Sequence, residues 1–162
     1  MTTLPSSAAH SDRDRIFEQA AAAAAPNKGS GGPPRDALPA LLPAYYRHVA
    51  TEELASRTDV DVYGALASHH HLALDRDPGM AKVRVFTPTV AEHGWSAAGH
   101  SVVEVVVDDM PFLVDSLTME LSRQLHDVRA VIPPTFDVRR DEDGRLLEAE
   151  PVASGSTAPV EG

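Results

Sequence analysis

Apolar residues in the first half of the chain recur at helical spacing. One apolar face is predicted within residues 36–49 and a second within residues 62–74, because their members fall three or four positions apart. The first face comprises Leu38, Leu41, Leu42, Tyr45, Tyr46 and Val49. The second comprises Val62, Tyr63, Leu66, Ala67, His70 and Leu74. Residues 12–25 end in six alanines, so they predict a further helix, which we expect to pack loosely because it offers little apolar surface.

The pattern changes to alternation near residue 82. Residues 82–86 alternate polar and apolar side chains, and residues 101–107 are rich in valine, so both stretches predict β-strands. Successive side chains of a strand point to opposite faces. The better candidate for the core is the all-valine face of the second strand, rather than the face that carries Glu104. Its members are Val103, Val105 and Val107.

A helix is predicted directly after the second strand and ends near residue 124. Pro111 suits its first position, and Asp108 and Asp109 suit the positive end of the helix dipole. We therefore interpret the two aspartates as capping residues rather than as a general acid and base. The apolar stripe of this helix comprises Leu113, Leu117 and Leu121.

The last part of the chain returns to extended structure. Residues 128–140 contain Pro133 and Pro134, which suit an edge strand only. Asp143 and Gly144 predict a hairpin turn, with a last strand over residues 145–150. The predicted fold class is α+β, in which N-terminal helices precede a partial ferredoxin-like β-α-β-β unit and the termini are disordered. In that unit the crossover is right-handed and its helix covers one face of the sheet.

The complete ferredoxin-like unit has a second helix and a fourth strand, which have no counterpart before residue 162. The first strand of the unit would then expose an edge. Three alternatives remain open: the 82–86 strand covers that edge, another chain covers it, or the fold is incomplete. We accordingly expect the 162 residues to be part of a longer chain.

Composition narrows the classes of partner. The chain has 24 acidic and 14 basic residues, a net charge of -10, which disfavours nucleic acid and anionic membranes. Cysteine is absent, so disulfides and cysteine-ligated metals are excluded. No apolar run is long enough for a membrane span, and the N-terminus is not a signal peptide. We therefore expect a cytoplasmic protein.

Four regions are predicted along the chain. Residues 1–36 are expected to hold a disordered tail, the alanine-rich helix and a Gly/Pro-rich linker. Residues 37–80 form a helical segment and residues 81–150 the partial ferredoxin-like domain. Residues 151–162 form a second disordered tail.

Candidate chemistry is sparse. His69, His70 and His71 are consecutive, and helical side chains about 100° apart cannot all bind one metal. We interpret them as a helix surface with one buried histidine, and a zinc site with His93 or His100 is the less favoured alternative. No nucleotide-binding glycine loop or nucleophile elbow is present. We assign no catalytic, cofactor-binding or metal-binding residue, and the chain is interpreted as a binding or regulatory module.

Several runs from Tyr45 onward resemble a known family. They lie at residues 46–54, 61–65, 82–89 and 92–95. The most specific run, residues 105–121, reads Val-Val-Val-Asp-Asp-Met-Pro-Phe-Leu-Val-Asp-Ser-Leu-Thr-Met-Glu-Leu. These runs are similar to the N-terminal region of the very large bacterial NAD-specific glutamate dehydrogenases, and the likeness covers roughly residues 40–150.

The resemblance implies oxidative deamination of L-glutamate to 2-oxoglutarate and ammonium, with NAD as the cofactor of the full-length enzyme. In the family the catalytic and NAD-binding residues lie far downstream, so no such residue is carried onto this chain. The implied partners are the rest of the dehydrogenase chain or a homo-oligomer formed through the sheet edge, with an amino acid as a candidate effector. The alternative is a stand-alone amino-acid-sensing or protein-interaction module.

The resemblance also implies an ACT-like segment. ACT domains are ferredoxin-like modules that sense amino acids, and their ligand-binding members carry Asp-x-Pro-Gly-Leu between the first strand and helix. Phe112 stands here in the place of that glycine, where its side chain could obstruct a ligand, and we expect it to pack in the core. The candidate regulatory-ligand or interface residues are Asp109, Met110, Pro111, Phe112 and Leu113.

Overall fold

The computed structural model describes residues 7–24 and 38–153. The predicted linker, the first six residues and most of the predicted C-terminal tail lie outside the described residues, so their predicted disorder stays a prediction.

Helices dominate the first half of the described chain, and two strand pairs lie in the second. The helices are α1 (Ser7–Ala23), α2 (Leu42–Tyr45, preceded by a 3-10 turn, Pro39–Leu41), α3 (Thr51–Ala55), α4 (Asp59–Ala73), α5 (Val90–His93) and α6 (Leu113–Arg123). The strands are β1 (Lys82–Phe86), β2 (Val102–Val106), β3 (Phe136–Arg140) and β4 (Leu146–Pro151). The predicted α+β class is confirmed. None of the described helices is both long and apolar enough to cross a membrane.

The helical core contains the buried positions that the apolar periodicity predicts, but of the described part of the helical stretch predicted over residues 36–49 only residues 39–45 are helical. Tyr46 is fully buried, and its hydroxyl donates a hydrogen bond to the Val62 carbonyl oxygen at 2.7 Å. The buried cluster comprises Phe17, Ala20, Leu42, Tyr45, Tyr46, Val49, Leu54, Val62 and Leu66. The first two members belong to α1, so the prediction of a loosely packed alanine helix was wrong. Ala20 is fully buried, and its small side chain allows α1 to approach its neighbours closely.

Arg13 also fastens α1 to the helical core. Its guanidinium donates hydrogen bonds to the carbonyl oxygens of Val49, at 2.8 Å, and Tyr46. These carbonyl groups lie just after α2, where the main-chain oxygens have no N–H donor within the helix. The helix is therefore held by polar contacts as well as by packing.

Strands β1 and β2 form an antiparallel pair that α4 covers on one face. Val83 pairs with Val105, and Arg84 with Glu104. The covered face carries Glu104, which is only 5% exposed, whereas Val103 is 42% exposed. The prediction that the valine side of β2 forms the core was therefore wrong. Glu104 can be buried because α4 supplies a hydrogen-bond donor: Ser68 Oγ donates to its carboxylate at 2.6 Å.

Strands β3 and β4 form a separate antiparallel hairpin. Its turn lies where Asp143 and Gly144 predict it, and Gly144 has a left-handed φ of 82°. The hairpin docks on the end of α4, where the Leu146 N–H donates to the Leu74 carbonyl oxygen at 2.7 Å and the Arg76 N–H to that of Gly144 at 3.0 Å.

The predicted strand–helix–strand–strand order is present, but the predicted crossover pairing is not. Within the described ranges, β2 pairs with β1 and β3 pairs with β4. β3 begins after Pro133 and Pro134, and Ile132 and Phe136 pack against the helical core. These contacts, with the docking on α4, hold the hairpin away from β2. Of the alternatives for the exposed edge, cover by the 82–86 strand is the one observed.

Candidate functional site

The candidate segment Asp109–Leu113 lies on the surface between β2 and α6. Phe112 is 77% exposed, so the expected core packing of its side chain was wrong. Its backbone has φ 62° and ψ 12°, a left-handed conformation that costs an ordinary residue roughly 1–2 kcal/mol and that glycine adopts freely. The backbone thus keeps a conformation that suits the motif's glycine, while the phenyl ring faces solvent.

The two aspartates before α6 do not cap it. α6 begins at Leu113 rather than Pro111, and no side chain caps its N-terminus. Asp108 instead forms an ion pair with Arg76, which is 8% exposed and also donates to the Met80 carbonyl oxygen at 2.9 Å. The capping prediction was therefore wrong: Asp108 ties the segment after β2 to the chain that follows α4.

Arg140 of β3 lies in the same region as Arg76. Its Nη1 donates to the carbonyl oxygens of Ala73 at 2.8 Å and Gly144 at 2.9 Å. Burial lowers the pKa of Arg140, and the nearby charge of Arg76 lowers it further. The carbonyl oxygens and the nearby carboxylates offset the repulsion between the guanidinium groups of Arg140 and Arg76. The arrangement joins three parts of the chain: the end of α4, the hairpin and the end of β2.

Helix α6 is amphipathic, but none of its residues is fully buried. Val114, Leu117 and Met119 are exposed, as is Met110 before the helix. On its polar side, hydrogen bonds from Arg123 and Gln124 lower the pKa of Glu120 to about 2. The helix therefore exposes apolar side chains and a Glu120 carboxylate that is paired with Arg123.

One of the three consecutive histidines, His69, joins α4 to neighbouring elements. His69 Nε2 lies 2.9 Å from the Val105 carbonyl oxygen, and its Nδ1 lies 3.1 Å from the Tyr45 hydroxyl. Because a carbonyl oxygen can only accept, Nε2 carries a proton, and in the neutral ring Nδ1 then accepts from the Tyr45 hydroxyl. Burial raises the pKa of Tyr45 well above its usual value, which keeps that proton in place. His69 thus links α4 to both α2 and β2.

Two further histidines of the described chain have distinct local surroundings. Burial lowers the pKa of His70, and the neighbouring His71 lowers it further. His93 Nδ1 accepts from the Thr89 N–H at 3.1 Å. Among the described residues, no three histidine, aspartate or glutamate side chains are grouped to hold a metal ion.

The network around Glu104 was missed at the sequence level. Arg84 donates to Ser68 Oγ, and its Nε lies 3.1 Å from Glu104 Oε2, an ion pair whose angle does not make a hydrogen bond. The network therefore holds the β1–β2 pair against α4. The alternation of valines around Glu104 predicts that its side chain faces solvent. Only the contacts with Ser68 of α4 and Arg84 of β1 show that it lies in the interior.

Comparisons with known proteins agree with one family. Residues 41–161 match the family model described as glutamate dehydrogenase, ACT1 domain. The chain is 42% identical over 102 residues to an NAD-specific glutamate dehydrogenase of Halomonas elongata, covering 63% of this chain and 6% of that protein. It is 34% identical over 110 residues to one of Pseudomonas aeruginosa, covering 68% and 7%.

A similar enzyme of Mycobacterium tuberculosis is 32% identical over 93 residues, which are 57% of this chain and 5% of that protein. No solved structure matches. The aligned part of the chain is thus a small fraction of the length of these relatives.

Proposed function

Because the chain belongs to the family of the glutamate dehydrogenase ACT1 domain, we propose that it is the N-terminal regulatory or assembly segment of an NAD-specific glutamate dehydrogenase. The match over residues 41–161 carries this proposal. The full enzyme would convert L-glutamate, NAD⁺ and water to 2-oxoglutarate, ammonium and NADH in the cytoplasm. Catalysis and NAD binding would belong to polypeptide outside these residues. The proposal keeps residues 37–80 as a helical segment and residues 81–150 as the ACT-like part.

The roles of the buried polar groups support a non-catalytic segment. Tyr45, His69 and Glu104 are all occupied in joining α4 to the strands or to α2. The proposed partner is the rest of the dehydrogenase chain or a second copy of this one. Among the described strands β2 pairs with β1 alone, and its other edge is a place where a partner strand could pair.

The purified 162-residue chain is expected to produce no glutamate-dependent NADH. Catalytic residues would lie in the remainder of the enzyme, so neither excess NAD⁺ nor excess glutamate should yield turnover. NADH absorbance measures this, with the full-length Pseudomonas aeruginosa relative as the positive control. Turnover that co-purifies with the chain and is lost on heating would contradict the proposal.

The segment Asp109–Leu113 is the proposed regulatory contact. The N-terminus of α6 has no side-chain cap, so its first main-chain N–H groups and the helix dipole favour a negatively charged group such as an amino-acid carboxylate. The left-handed backbone at Phe112 brings the chain into that helix start. The exposed phenyl ring would border the ligand without filling its place.

Calorimetric titration of the chain with L-glutamate and other amino acids tests this contact. We expect millimolar binding that weakens at least tenfold in Phe112→Pro, because proline cannot adopt the left-handed φ. Val138→Pro places the same substitution in the exposed β3 and controls for general disruption, while circular dichroism confirms that both variants fold. Absence of heat at millimolar ligand would leave the segment as an interface only.

A further inference from the structure

Arg76 is a buried cation that lies between the end of α4 and the segment after β2. Its Nη1 donates to the Met80 carbonyl oxygen at 2.9 Å, and its Nη2 donates to the exposed carboxylate of Asp108. A buried guanidinium needs an opposite charge, because water does not solvate it. Among the described residues, Asp108 forms the one ion pair that Arg76 has.

The main chain at Arg76 is held by the β3–β4 hairpin. The Arg76 N–H donates to the Gly144 carbonyl oxygen at 3.0 Å, and the Leu146 N–H donates to the Leu74 carbonyl oxygen at 2.7 Å. The two chains also approach closely, since a Cβ at Gly144 would lie 2.2 Å from the Arg76 carbonyl oxygen. The docked hairpin therefore fixes the residue that carries the buried guanidinium.

The stretch that leads into α6 is strained and lies on the surface. Phe112 has a φ of 62°, a conformation that a residue with a side chain keeps only when its surroundings hold it. Residues 108–112 are all exposed, and no side chain caps α6. Within residues 107–112, Asp108 is the one residue whose side chain forms an ion pair or a hydrogen bond. We therefore expect this ion pair to hold the strained entry into α6.

We propose that the Asp108–Arg76 ion pair couples the docking of the β3–β4 hairpin on α4 to the conformation of the Asp109–Leu113 segment. Asp108 is then a positioning residue, because it keeps the segment in the form that offers the uncapped start of α6 to an effector. The inference rests on the proposed effector contact and adds how that contact is regulated. Since coupling between two sites is reciprocal, a ligand at the segment stabilises the docked hairpin by the same factor by which docking raises the affinity for the ligand.

Three main-chain amides report on the two ends of this coupling. The N–H groups of Arg76 and Leu146 have their acceptors across the docking contact, so they are protected from hydrogen exchange only while the hairpin is docked. The Ser116 N–H donates to the Phe112 carbonyl oxygen at 2.9 Å, so it is protected only while the first turn of α6 is formed. We call these three groups the reporter amides, and NMR resolves their exchange one by one.

Asp108→Asn should loosen both ends together. The substitution keeps the shape of the side chain and removes the charge opposite the buried guanidinium, so the protection of all three reporter amides should fall at least fivefold. Glu148→Gln is the matched control, because it breaks an exposed ion pair of the hairpin, with Arg139, and should leave the reporter amides unchanged. Circular dichroism confirms that both variants fold. Loss of protection at Ser116 alone, or at none of the three amides, would overturn the proposal.

Gly144→Ala approaches the coupling from the hairpin. Its Cβ would meet the Arg76 backbone, and the protection of the Ser116 amide, in a different element, should also fall at least fivefold. The double variant with Asp108→Asn should lose at most about twofold more than either single variant, because both substitutions break the same path. Effects that multiply in the double variant would show two independent contacts and would contradict the coupling.

Addition of L-glutamate separates this inference from the proposed effector contact. Saturating L-glutamate should raise the protection of the Leu146 amide at least threefold in the unmodified chain. Asp108→Asn should abolish that gain, which a purely structural role of the ion pair would not do. If L-glutamate gives no heat on titration, the effector contact fails, whereas the double variant still decides whether hairpin and segment are coupled. Binding of L-glutamate to Asp108→Asn with unchanged affinity would overturn the positioning role.

Discussion

Replacing Tyr46 by alanine is expected to lower the free energy of unfolding by about 3–5 kcal/mol, the usual effect of removing a buried aromatic ring. Tyr46 is fully buried, and its ring stacks on Phe17, with centroids 6.2 Å apart, and meets Tyr45 edge-on at 4.9 Å. The substitution opens a cavity at the point where α1, α2 and α4 meet. It also leaves the Val62 carbonyl oxygen without the phenol donor. Since small domains are stable by only about 5–15 kcal/mol, a large share of the stability would be lost.

Urea unfolding followed by the fluorescence of Trp95, the single tryptophan, measures this loss. Tyr46→Phe keeps the ring and removes only the hydroxyl. It should therefore cost about 1–2 kcal/mol, the price of an unmade buried hydrogen bond. A loss below 1 kcal/mol for Tyr46→Ala would mean that the helical core does not depend on this ring.

Gly144→Ala is expected to detach the β3–β4 hairpin from α4. Gly144 has a φ of 82°, and a Cβ there would lie 2.2 Å from the Arg76 carbonyl oxygen. That oxygen belongs to the backbone and cannot turn aside like a side chain. The left-handed conformation costs alanine roughly 1–2 kcal/mol, and the clash adds a similar amount or more. We expect a total of about 2–4 kcal/mol.

Hydrogen exchange locates the effect, because a detached hairpin loses amide protection in Phe136–Arg140 and Leu146–Pro151 while the helical core retains it. Gly79→Ala is the matched control. Gly79 also has a positive φ, 73°, but a Cβ there meets nothing within 4 Å. It should cost about 1–2 kcal/mol for the conformation alone. Equal losses of protection in the two variants would show that the close approach to Arg76 does not hold the hairpin.

Features set by local sequence were predicted well. The buried positions of Leu42, Tyr45 and Tyr46 follow from helical spacing, and the hairpin turn follows from Asp143 and Gly144. In each case the determining contacts lie within one element or one turn. The α+β class was accessible for the same reason.

Features set by distant partners were not predicted. Alternation in β2 defines two faces but does not say which one α4 will cover, and the choice rests on Ser68, 36 positions before Glu104. Asp108 looks like a cap until Arg76, 32 positions away, is placed beside it. The exposure of Phe112 likewise depends on where the chain goes after β2. No local pattern contains these contacts.

The packing of α1 shows that the family match and the folded unit begin at different residues. The match to the family model begins at residue 41, yet Phe17 and Ala20 complete the core, and Arg13 binds the carbonyl groups that follow α2. A chain trimmed to the matched segment would lose one side of its own core. The segment that matches the family model is thus smaller than the unit that folds, and α1 supplies the missing part of the core from an alanine-rich sequence.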